Sequence, residues 1–207
     1  MDNLQLLLNI WSKYKEYNIG FILNIATSSP TLIFEFMKAG ARYMFSNIVD
    51  DWDTLSHMIA LGVRCIIVGN ALGFELDKVA EVLHKYWILV WVYPNIAQST
   101  CSTTPDMKKF WIRPEDLKEY EPYVDVVKMA YPKGEPKKQI PYLNIYRRGA
   151  ADGALNDFII GWRNKDIPVI SYKLPETLTK QRIKCGKRCL KGSKCKACEG
   201  LLQIAKK

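Results

Sequence analysis

Short apolar runs alternate with amphipathic stretches about every 20 to 25 residues through the first 130 positions of this chain, and few architectures accept that rhythm. Residues 20–26, 41–45, 63–69, 87–93, 109–112 and 124–129 read as strands. Between them, helices are expected over 30–39, from Asp50 and Asp51 to about Leu61, over 74–86 and over 113–120. A further helix over 2–17 carries Leu4, Leu7, Leu8, Trp11 and Tyr14 at helical spacing. Strand followed by helix, repeated this often, requires a parallel sheet with helices packed outside it. A (β/α) barrel and an open doubly wound sheet both satisfy the pattern. A complete eight-stranded barrel takes about 250 residues, so 207 residues imply a shortened or incomplete TIM-like (β/α) barrel. Beyond residue 130 the rhythm loosens. A polar loop over 132–141, helices over 142–148 and 155–162, and a seventh strand over 167–170 lead into a cysteine-bearing tail, so the expected division is 1–172 and 173–207.

In either architecture ligands bind at the carboxyl ends of the strands. The polar residues following each strand are therefore the candidate binding set: Asn47, Asn70, Asn95, Gln98, Arg113, Glu115 and Lys128. Amides both donate and accept hydrogen bonds and suit a planar polar ligand, whereas Arg113 and Lys128 suit a carboxylate or phosphate. Each of these residues is also an ordinary turn former. Asp50, Asp51 and Asp53 resemble a metal or acid–base cluster, yet aspartates at a helix start read first as caps. His57 and His84 fall on expected helix surfaces, and Cys65 falls in an apolar strand. Cys101 is the one candidate nucleophile outside the tail, with no histidine placed near it by the sequence. The chain has no Gly-x-Ser-x-Gly elbow, P-loop or Gly-x-Gly-x-x-Gly fingerprint.

The tail places four of the six cysteines, Cys185, Cys189, Cys195 and Cys198, within fourteen residues in the pattern C-x3-C-x5-C-x2-C. Gly186, Gly192 and Gly200 allow the tight turns that would bring four thiolates to one metal. Zinc and an iron–sulfur cluster both accept four thiolates, and one C-x2-C beside a wider C-x3-C separates them only weakly. Two disulfides are the other reading. The start MDNLQLLLNIWSKYKEY has no basic segment before its apolar stretch, and no apolar run approaches the length of a membrane span. A cytosolic protein with reduced thiols is therefore expected, which favours a metal.

The net charge of +9 is concentrated in the same segment. Residues 173–207 hold eleven basic and two acidic side chains, which leaves nineteen of each sign in the remainder. Four thiolates on a divalent metal offset little of that excess. A basic surface beside a metal-pinned loop suits RNA or another nucleic acid, or is simply solvated. A sheet short of strands leaves parallel edges that a second copy could cover, so a homodimer is expected.

The run ALGVRCIIVGNALGFELDKVAEVLHKYWILVWVYPNIAQS, followed by FWIRPEDLKEYEPYVDVVKM, resembles the collagenase-like peptidase family, number thirty-two of the peptidases of unknown type. Arg113-Pro-Glu-Asp-Leu117 and Asp125-Val-Val-Lys128 carry the later part of that likeness, which covers about residues 40 to 130. The resemblance implies a barrel-like fold and cysteine-bound four-iron four-sulfur clusters. It further implies oxygen-independent hydroxylation of RNA bases or of quinone precursors rather than peptide cleavage. This chain departs from the family in two ways: Lys128 is followed by Met-Ala-Tyr instead of an acidic-Gly-Arg sequence, and its cysteines are more tightly clustered. A shortened, phage-borne relative would have this outline. The resemblance tips the choice of cofactor toward iron–sulfur, with zinc as the alternative. A non-catalytic, zinc-stabilised nucleic-acid-binding protein is the rival function, and a peptidase is a third.

Overall fold

The computed structural model describes residues 9–10, 12–13, 38, 45–69, 71–96, 110–130, 137, 139–151, 153–160, 174, 180, 182–183 and 185. Within them the chain is an α/β protein built on a four-stranded parallel sheet in the order β1-β2-β3-β4. The strands are β1 (Phe45–Val49), β2 (Cys65–Val68), β3 (Leu89–Val92) and β4 (Val126–Val127). Parallel neighbours need helical crossovers. α1 (Trp52–Ala60) joins β1 to β2, and a 3-10 turn (Leu72–Glu75) running into α2 (Leu76–Lys85) joins β2 to β3. Between β3 and β4 lie a second 3-10 turn (Pro114–Asp116) and α3 (Leu117–Tyr120), while α4 (Gln139–Arg148) and α5 (Leu155–Phe158) follow the sheet. Asn9, Ile10, Ser12, Lys13 and Lys38 are helical, inside the two N-terminal helices expected. No helix among the described residues is long and apolar enough to cross a membrane.

Local chemistry accounts for these elements. The Asp51 carboxylate accepts hydrogen bonds from the Thr54 amide at 2.7 Å and the Thr54 hydroxyl at 2.8 Å, capping α1. Those bonds hold its pKa below the usual carboxylate value. Gly62, at φ 72, ends the turn after α1. In α2 the buried Leu76, Val79, Ala80 and Leu83 form one stripe that faces the sheet. β2 is buried along its whole length, as expected of an inner parallel strand.

Two apolar clusters form. The larger lies between one face of the sheet and the helices and includes Leu55, Ile66, Val68, Val79, Val90 and Val92. An edge-to-face series of rings, Phe74 on Phe110 at 6.0 Å and Phe110 on Tyr120 at 6.3 Å, extends it. The smaller cluster gathers Trp111, Tyr146, Leu155, Phe158 and Leu174. There the Tyr146 hydroxyl donates to the Ile112 carbonyl at 2.6 Å.

The structure moves several expected boundaries. β1 spans Phe45–Val49, running past the expected end at 45, with an irregularity between Phe45 and Ile48 that places an extra residue opposite β2; residues 41–44 lie outside the described residues. Of the strand expected over 109–112, the described residues 110–112 form none: Phe110 makes a single bridge, Phe110, Trp111 and Ile112 are buried, and β4 pairs directly with β3. Trp87 belongs to the turn closing α2, at φ 56 and 86% exposed, not to β3. The helix expected over 155–162 stops at Phe158, and Ile160 instead bridges Ile96 in parallel. Just beyond the expected division at 173, Leu174 packs in the smaller cluster and Ile183 in the larger. Residues 167–170 and Cys101 lie outside the described residues.

Candidate functional site

Residues alternate between the two faces of a strand. Val49, Val68, Val92 and Val127 pack toward the larger, helix-side cluster. The next residue on each strand, Asp50, Gly69, Tyr93 and Lys128, therefore falls on the opposite face at the carboxyl edge. Observed pairs Val49 with Val68 and Val92 with Val127 set the register that places these four side by side. The ladder continues to that level, because the Gly69 amide donates to the Val49 carbonyl at 2.8 Å and the Lys128 amide to the Val92 carbonyl at 2.9 Å.

Side-chain geometry agrees with the backbone register. The Lys128 ammonium stands 5.4 Å from the Tyr93 ring centroid, a cation–π contact that requires both side chains on one face. A Cβ added at Gly69 would lie 2.1 Å from Asp50 Oδ1, so the Asp50 carboxylate already occupies the space above that glycine. Asp50, Tyr93 and Lys128 are all half-buried. The result is a lateral row of acid, glycine, aromatic ring and cation where a parallel sheet presents its ligand site.

The candidates expected from sequence divide in a way the row explains. Lys128 stands in it. Asn47 lies within β1 at the irregularity, not beyond the strand. Asn70 and Gln98 lie outside the described residues. Asn95 is fully buried and clasps one backbone unit: its amide nitrogen donates to the Ala130 carbonyl at 2.7 Å and its oxygen accepts from the Ala130 amide at 2.8 Å. That clasp ties the segment after β3 to the end of β4. The Arg113 guanidinium is 3% exposed and faces inward. It bonds both carboxylate oxygens of Asp116 and donates to the Leu174 carbonyl at 2.9 Å. An anion would have to displace a fork-to-fork carboxylate to reach it. Glu115 accepts from the Ala151 amide at 3.0 Å and joins the same loop to the segment after α4.

The sequence places Asp50 among possible helix caps and does not single out Tyr93. Asp50 was hidden among three aspartates at a helix start, only one of which, Asp51, is the cap. Its signal was the glycine ending the neighbouring apolar run: Gly69 is where Asp50 folds over. Asp125 and Lys128 also separate by role. The Asp125 carboxylate accepts from the Val90 amide at 2.7 Å and meets His84 Nε2 at 3.1 Å, at the amino end of β4. Lys128 marks the other end of the same strand.

Cys185 is the described member of the tail thiols; Cys189, Cys195 and Cys198 lie outside the described residues. It sits where the tail leaves the body. The Arg182 guanidinium stacks on Trp111, 3.9 Å from its centroid, and stands 5.2 Å from the Phe74 centroid. Ile183 is buried in the larger cluster, and Cys185, partly exposed, packs against its edge with its amide bonded to the Arg182 carbonyl. A free thiol at that margin suits a metal-bound thiolate, and the soft four-thiol set fits zinc or iron–sulfur alike. Among the described residues no three metal-ligating side chains come together. Cys65 does not belong to such a set: it is buried in β2, where desolvation and the nearby Asp125 push its pKa up to about 11 and leave it an inert thiol.

Comparison with models of known families gives no match, and comparisons with curated proteins and with solved structures give none.

Proposed function

We propose that the chain is a shortened TIM-like (β/α) barrel protein carrying a four-iron four-sulfur cluster on Cys185, Cys189, Cys195 and Cys198. It acts in oxygen-independent modification, of hydroxylation type, on RNA or another planar anionic substrate. The observation that carries the reading is the four-thiol run in a strongly basic tail whose first cysteine is held at the edge of the body's core. A bound cluster would supply one-electron chemistry. The chain's own residues supply the rest: Lys128, steadied by Tyr93, meets an anionic group at the carboxyl edge of the sheet, and the basic residues after 173 hold phosphates. Arg113, Asn95 and Glu115 brace the loops around that edge. A second copy covering an exposed strand edge completes the assembly.

Strictly anaerobic purification followed by iron, sulfide and zinc analysis and a visible spectrum tests the reading. Iron near four per chain with broad brown absorption, abolished by Cys185→Ser, is expected. One zinc and no colour would replace it with a zinc-stabilised nucleic-acid-binding protein, a reading the eleven basic residues of the tail also favour. Neither metal would overturn both.

A further inference from the structure

The three aspartates at the end of β1 have different surroundings. Asp51 caps α1, and Asp53 is exposed in its first turn. Asp50 is neither a cap nor freely solvated. Its Oδ1 is buried without a hydrogen-bond partner among the described residues, pressed over the Cα of Gly69, while the residue as a whole is only half-buried. A carboxylate oxygen stripped of water and left without a donor is costly, and in native structures such a group marks stored strain, a catalytic role, or a water or ion that completes its bonding.

Its neighbours indicate what a ligand completing its bonding carries. Across the row stand the Tyr93 ring and the Lys128 ammonium, and Lys128 makes no ion pair among the described residues. Four adjacent strands span about 14 Å. Both charged groups shorten that distance: Asp50 leans over the end of β2, and Lys128 stands over the ring carried by β3. Acid and base thus approach one another without meeting, with Asp50 seated in the space that Gly69 leaves. A molecule filling the gap needs hydrogen-bond donors at one end, an anion at the other, and a flat middle to lie along the tyrosine.

We propose that Asp50, Tyr93 and Lys128 form the binding row for one nucleotide unit, its base N–H groups donating to Asp50 and its phosphate meeting Lys128. A ligand with two anionic ends is repelled by Asp50, and one without a ring forfeits the tyrosine. This ligand class deepens, and rests on, the reading of the chain as acting on RNA or another planar substrate.

Calorimetric titration of the full-length protein at low salt with UMP, CMP, AMP and GMP, each against ribose 5-phosphate, tests the row. At least one nucleotide should bind more tightly than ribose 5-phosphate. Asp50→Asn should weaken that nucleotide roughly tenfold or more while leaving ribose 5-phosphate unchanged. Because it removes the charge of a half-buried carboxylate whose Oδ1 has no partner among the described residues, it should also leave the thermal midpoint equal or higher. Lys128→Met, at a half-exposed position, should weaken both ligands. The proposal is overturned if no nucleotide binds better than ribose 5-phosphate, if Asp50→Asn binds nucleotide as the wild type does, or if Asp50→Asn lowers the midpoint. Iron in the tail without nucleotide binding would overturn the row alone. Asp50-dependent nucleotide binding in a protein without iron would overturn the cluster alone.

Discussion

Replacing Arg113 by methionine separates a structural brace from a ligand clamp, because the two roles make opposite predictions about the empty protein. Arg113 and Asp116 are 3% and 10% exposed as side chains, and the guanidinium holds both carboxylate oxygens and the Leu174 carbonyl. Methionine preserves most of the alkyl volume but removes the fork. Asp116 is then left buried without its cation, at a cost of about 3–5 kcal/mol, and the Leu174 carbonyl loses a donor, adding about 1 kcal/mol. A total of about 4–6 kcal/mol is a large part of the ~5–15 kcal/mol that holds a domain together. Urea denaturation followed by circular dichroism would read it as a much lower midpoint at unchanged slope. Arg113→Met/Asp116→Leu should recover about 2 kcal/mol or more, since the stranded charge is gone. A loss below about 1 kcal/mol for Arg113→Met would match a solvent-screened pair. It would refute the assignment of Arg113 as a brace and return the guanidinium to the pool of ligand-binding groups.

Asn95→Leu removes both bonds to Ala130 from a fully buried position, and a loss of about 2–4 kcal/mol in the same denaturation assay is expected; a loss under about 1 kcal/mol would contradict the clasp. Trp87→Gly should stabilise by about 0.5–1 kcal/mol, because Trp87 holds φ 56 with its side chain 86% exposed; a fall in the thermal midpoint would show that the indole contributes more than its backbone costs. Stability should fall in alkali. Burial raises the Cys65 pKa from 9.0 to about 11 and the Tyr120 pKa from 10.0 to about 12, so each keeps its proton in the folded state after the unfolded chain has released it. Their contributions are fully present below pH 9 and 10 respectively and are lost as pH rises through the folded values, on the order of 2–3 kcal/mol for Tyr120. Cys65→Val should flatten the profile between pH 9 and 11 and Tyr120→Phe that between 10 and 12; profiles parallel to wild type would refute the burial of both groups.

Where hydrophobic period and end signals agreed, the sequence located the elements well. β2, α2 and β3 lie inside their expected ranges, and the Asp51 cap lies where a helix start was expected. The differences between expectation and structure lie at positions whose surroundings are set by distant chain. Ser46 and Asn47 look like a turn, but an irregular register lets β1 carry them. Phe110 to Ile112 look like a strand because burial alone produces a short apolar run, whatever its hydrogen bonds. Arg113 before a proline looks available, yet its partners are Asp116, three residues on, and Leu174, sixty-one residues on. Lys128 could be read from its place after an apolar strand. Asp50 could not be distinguished from Asp51 until the register put Gly69 beside it.

The seating of Arg182 over Trp111 and of Ile183 in the larger cluster also bears on how the protein is made. Synthesis proceeds from the N-terminus, so the sheet and α1 to α3 are complete long before residue 183 leaves the ribosome. Until then Phe74 and Trp111 lack the cover they have in the finished fold, and the nascent body carries a sticky patch that invites chaperones or self-association. The cysteines follow within the last two dozen residues. On the proposed metal-binding reading, the four thiols would thus become available only after Arg182 and Ile183 have reached the body.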